Sequence, residues 1–157
     1  MTALPPPADR AVREHLRALL TTAQAHQTLE DVLRDFPLAR VTERVHGLPY
    51  SAWEVLWHLR FTQRDILNFV RDDTYQEVPW PDAYWPAPGT AADWAAQVQA
   101  YRDDLAALLN LLDDPATDLL APVPNGSGQT WLREFLLVAD HTAYHAGQLL
   151  LLRRLLA

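Results

Sequence analysis

The sequence predicts an all-α fold, a four-helix bundle formed by a single domain over residues 1–157. Three observations carry that prediction. Four stretches of roughly 20–28 residues place apolar side chains at helical spacing, and the connections between them carry Pro or Gly. Every short strand-like alternation is broken by Pro or Gly. With 49% hydrophobic and 21% charged residues, the composition is that of a globular chain, long enough to bury a core without staples.

The first helix is expected from about Asp9, a plausible N-cap, to Phe36, with Pro37 as its stop. The second begins at Ser51 and runs to about Val70. Its opening SAWE reads as a capping box in which Ser51 reaches forward and Glu54 reaches back. The third opens at TAAD, where Thr90 and Asp93 give a similar signal, and ends near Leu112 before Asp-Asp-Pro. The fourth runs from about Thr130 to Leu155, after the turn-rich NGSG at 125–128. The segment RDDTYQEVPWPDAYWPAPG, residues 71–89, is longer than an ordinary helix–helix loop. Such a crossover permits helices two and three to run parallel.

Composition also narrows function. The formal charge is −7, from 20 acidic and 13 basic residues. No Arg cluster exceeds a pair such as Arg153–Arg154, so nucleic acid is not the expected partner. All 13 basic residues are Arg, which excludes a Schiff-base lysine. There is no cysteine, hence no disulfide framework and no thiolate ligand. Thiol chemistry here requires a small-molecule thiol brought in from outside. The opening MTALPPPADR has no apolar signal core, and no run of 18 apolar residues occurs. The expectation is a soluble, cytoplasmic protein without a membrane partner.

The chemistry concentrates in DHTAYHAGQ at 140–148, within WLREFLLVADHTAYHAGQLLLLRRLLA. Positions 134, 138, 141, 145, 148 and 152 share one helix face, Glu134, Val138, His141, His145, Gln148 and Leu152. His141 and His145 are separated by about 6 Å along the axis, near enough to share one ion. Thr142 stands where HExxH requires Glu, which disfavours a zincin-type protease. On helix two, His58 occupies the stripe Ser51, Val55, His58, Thr62, Asp65 and Phe69, again at mid-helix. His58, His141 and His145 can therefore meet at one height in a bundle. Three neutral imidazoles with an open position form a catalytic metal arrangement. A buried layer in which the same imidazoles bond to Glu134, Asp65 or backbone fits the spacing equally well. His15, His26 and His46 have polar or loop surroundings and are expected at the surface or in ordinary structural use.

WEVLWHLRFTQRDIL, the aromatic WPDAYWP and ADHTAYHAGQLLLLRRLLA together resemble the DinB/YfiT-like family of bacterial four-helix-bundle metalloproteins. The resemblance extends from helix one to about Leu156. It implies an up-down-down-up bundle and a divalent metal (zinc, nickel or iron) on one histidine of helix two and two of helix four. Matched residue by residue, these are His58, His141 and His145. It also implies a homodimer with a small-molecule substrate. Relatives include transferases and isomerases that use a low-molecular-weight thiol, mycothiol or bacillithiol, and others with no assigned activity. Thr142 and Ala146 depart from one branch, which commonly has Asn and Leu there; neither is a ligand position.

The expected chemistry is then a thiol-dependent S-transfer at the metal. The alternatives are a metal-dependent hydrolase and a non-catalytic, dimeric stress-response module with a structural metal, whose shell Glu134 could close. Asp140, Asp65, Glu134 and Gln148 are the acceptors available to orient the imidazoles, Asp65 and Gln148 sharing stripes with them. Tyr144 is a weaker proton-donor candidate. Trp80, Tyr84 and Trp85 either lid the pocket or pin the crossover to the bundle, the commoner use of buried rings.

Overall fold

A computed structural model describes residues 3–157. Five helices follow in order: α1 (Pro6–Thr21), α2 (Leu29–Leu33), α3 (Ala52–Arg71), α4 (Trp94–Asp113) and α5 (Trp131–Leu156). Four are long, and among the described residues the only β-type pairing is an isolated bridge between Pro122 and Thr130. The all-helical class expected from the sequence is the class observed.

The expected first helix is in fact two. Its first part starts at Pro6, leaving Asp9 inside the first turn, where it pairs with Arg13 at 2.7 Å. It stops at Thr21 because the next residue, Thr22, turns to extended backbone. There the hydroxyls of Thr21 and Thr22 donate to the carbonyls of Arg17 and Ala18, occupying the helix end. The chain re-enters a helix at Thr28, whose side chain and Asp31 form a capping box. His26 lies in the intervening segment and is exposed.

The other three long helices keep their expected positions. Ser51 and Glu54 form the capping box at α3, with the Glu54 carboxylate 2.7 Å from the Ser51 amide. Asp93 alone caps α4, accepting from the Ala96 amide at 3.0 Å. Thr90 lies outside, bonded to Ala87. Thr130 caps α5 through the Arg133 amide.

Cross-helix bonds fix the registers that matter for the site. Arg60 donates to Gln97, Gln63 to the Tyr101 carbonyl and Arg64 to Asp104, each at 2.8 Å. The numbers climb together on α3 and α4, as in a parallel pair. Between α3 and α5 they run oppositely: His58 faces His141, and Asn125, before α5, bonds the carbonyl of Phe69 near the end of α3. Leu56, Leu59 and Leu67 of α3 are fully buried with Leu149 of α5 and Leu108 and Leu112 of α4. The segment between α3 and α4 contributes a short helical turn at Asp82–Tyr84, which packs on α3.

Candidate metal centre

Helix α3 presents His58 toward α5, which answers with His141 and His145 one turn apart. The ring nitrogens converge: His141 Nε2 lies 3.2 Å from His58 Nε2 and 3.1 Å from His145 Nε2. One ligand-capable nitrogen from each of the three falls within 4.8 Å of the others, and among the described residues no Asp, Glu or further His joins the group. His58 and His145 are only 9% and 5% exposed. The remaining histidines, His15, His26 and His46, are exposed and outside the group.

The outer nitrogens determine what the inner ones offer. His58 Nδ1 lies 2.8 Å from the main-chain carbonyl of Tyr84, and His145 Nδ1 lies 2.7 Å from Gln148 Oε1. Both oxygens only accept, so both Nδ1 atoms carry the proton. The neutral rings therefore aim two Nε2 lone pairs at His141, whose own Nε2 can donate to one of them only. Burial pushes the His141 pKa down to about 3 and that of His145 to about 4, with the neighbouring imidazoles adding to both shifts. Burial lowers His58 as well. Near neutral pH all three rings are uncharged donors, a set that suits zinc, nickel or iron.

The crossover braces His58. Trp85 stacks on the imidazole, centroids 4.2 Å apart at 7°, and Tyr50 stacks on the far face of Trp85 at 3.6 Å and 4°. Tyr84 and Tyr75 donate their hydroxyls to Asp65. Burial, followed by the Asp65 carboxylate, pushes the Tyr75 phenol up to about 12 and raises Tyr84 as well, so both remain protonated donors. Asp65 thus touches no histidine; it holds Tyr84, whose carbonyl holds His58.

The trio opens on a cavity of about 560 Å³. Its walls include Tyr50, Ile66, Phe69, Trp85, Leu137 and Tyr144, with Asp65, Arg133, Glu134 and Gln148 as polar groups. Trp80 borders it while 79% exposed. Gln148 bonds a histidine directly, as its stripe implied. Glu134 lies in the cavity but outside the trio, paired with Arg133 at 2.7 Å, and Asp140 is exposed. Sequence reasoning missed Tyr50 altogether and the Tyr84 carbonyl with it. WPDAYWP was the only signal for this wall.

No curated protein and no solved structure matches the chain. The family profile of the DinB superfamily matches residues 10–149, a span that takes in α2, α3, α4 and all three clustered histidines. The chain belongs to the DinB superfamily.

Proposed function

We propose that His58, His141 and His145 hold one divalent metal ion and that the protein is a thiol-dependent S-transferase acting on a small molecule in the adjoining cavity. The observation that carries this reading is three convergent imidazoles, with no fourth His or carboxylate in the group among the described residues, opening on a cavity of about 560 Å³. A shell completed by Glu134 is what a purely structural metal would need, and Glu134 is not part of the cluster.

A bound divalent ion supplies Lewis acidity and keeps a thiol deprotonated at neutral pH. The chain's own residues do the rest. Tyr84 and Gln148 fix the His58 and His145 tautomers so that both Nε2 lone pairs point inward. Tyr50 and Trp85 cover His58 against water. With no cysteine in the sequence, the attacking thiol must arrive on a cosubstrate. The exposed leucines on the outer face of α5, Leu136, Leu151 and Leu155, support a homodimer.

The test is elemental mass spectrometry on tag-free protein, with His58→Ala and His141→Ala alongside. The expected result is about one metal per chain, lost in both variants while the helical signal persists. An electrophilic substrate is then turned over only when a low-molecular-weight thiol is added. Turnover without thiol would instead identify a metal-dependent hydrolase. A wild type that takes up no zinc or nickel overturns the metal reading.

A further inference from the structure

Glu134 is a buried carboxylate with one partner. Its side chain is 3% exposed, and its single hydrogen bond among the described residues comes from Arg133, whose own side chain is 54% exposed. A carboxylate offers about four acceptor positions; Arg133 fills one, and the others are open to whatever occupies the cavity. Its place in the first turn of α5 favours a carboxylate but gives it no further hydrogen bond. The capping bond there is made by Thr130 to the Arg133 amide, and Glu134 lines the cavity instead.

The other groups at this end of the cavity leave the acceptor unfilled. Asp65 is already taken by two tyrosine hydroxyls. Ile66, Phe69 and Leu137, which the antiparallel α3–α5 register brings alongside, have no side-chain donor, and the lining residues Thr62 and Gln129, which do have one, make no hydrogen bond to Glu134. A charged donor on a ligand would fill the acceptor positions that Arg133 leaves open.

We propose that Glu134 is the specificity residue of this cavity and receives a primary ammonium group of the ligand. Seven residues of helix separate it from His141, so the ammonium sits about 10 Å along α5 from the imidazoles. The ligand therefore has two ends, a metal-directed end at the trio and an amine at Glu134, joined by an apolar middle. This rests on the cavity being a ligand site, as proposed above, but not on metal being present.

The experiment is calorimetric titration of the full chain with 2-phenylethylammonium and with 2-phenylethanol, which share size and shape but differ in charge. Wild type is expected to prefer the ammonium by about tenfold or more, the scale of one charge-assisted hydrogen bond. Glu134→Gln should bring the two probes to similar affinity, with the alcohol unchanged. His141→Ala should keep the preference. Equal binding of the probes by wild type overturns the proposal, and so does a preference that survives Glu134→Gln. A preference lost in His141→Ala places the amine on the imidazoles and overturns it too. If Glu134→Gln does not fold, contacts between the probe's CH₂N protons and the Leu137 methyls, read by NMR in wild type, decide: present supports, absent overturns. Metal content, measured in parallel, reports separately on the metal reading.

Discussion

His58 Nδ1 donates to the main-chain carbonyl of Tyr84, 2.8 Å away and 26 residues along the chain. A main-chain carbonyl is an acceptor that substitution at Tyr84 cannot delete, so the proton on His58 is fixed by backbone. What can be disturbed is the position of that carbonyl, which Asp65 controls through the Tyr84 hydroxyl.

Asp65→Asn or Tyr84→Phe should therefore weaken metal binding without removing a ligand. The expected loss is about 10–100-fold, as for other outer partners of metal-bound histidines. Competition with a coloured chelator measures it, and unchanged affinity in both variants would remove the tether from the account.

Trp85 lies flat against His58, with ring centroids 4.2 Å apart. Nickel or cobalt loading should quench part of the tryptophan emission, and Trp85→Phe should abolish more of that quenching than replacement of the exposed Trp80. The titration is read at fixed protein concentration; equal quenching in both variants contradicts the expectation.

The metal-free protein should lose stability in mild acid. The ordinary histidine value is 6.5, and in the fold His141 and His145 stand at about 3 and about 4. Between those limits the unfolded chain binds protons that the folded chain refuses, so unfolding free energy falls as pH drops below 6.5. Above 6.5 the contribution is complete. Urea midpoints between pH 7.5 and 5 should decline in wild type and decline less in His141→Ala. Parallel curves would show that the trio does not set the slope.

Asn125 donates to the carbonyls of Phe69 and Asp72, both at 2.7 Å, closing the end of α3 from the turn before α5. Asn125→Ala should destabilise the fold by about 1–3 kcal/mol, two ordinary hydrogen bonds, with metal content retained. Thermal or urea denaturation gives the number.

Much of this was readable from residue order. Ser51 with Glu54, Asp93, and Thr130 marked the starts of α3, α4 and α5, because capping is local chemistry between residues three apart. Helical period put His58, His141 and His145 on facing stripes, while their reading as one ligand set came from the family resemblance. The break after Thr21 was not, since Thr22–Gln27 contains neither Pro nor Gly, and propensity is a weak prior there. Thr28 and Asp31 did carry a second capping signal that a continuous helix obscured. WPDAYWP marked Trp85 as a ring for the pocket or the crossover, but its stacking between Tyr50 and His58 was not readable, because a loop ring docking on a distant helix has no period to detect.

The distance along the chain between His58 and His141, 83 residues, has a consequence for assembly. A ribosome adding roughly 5–20 residues per second makes α5 roughly 4–17 s after His58. The crossover, and with it Trp85 and the Tyr84 carbonyl, emerges in between. The imidazole of α3 can thus be clamped and its tautomer chosen before either of its partners exists.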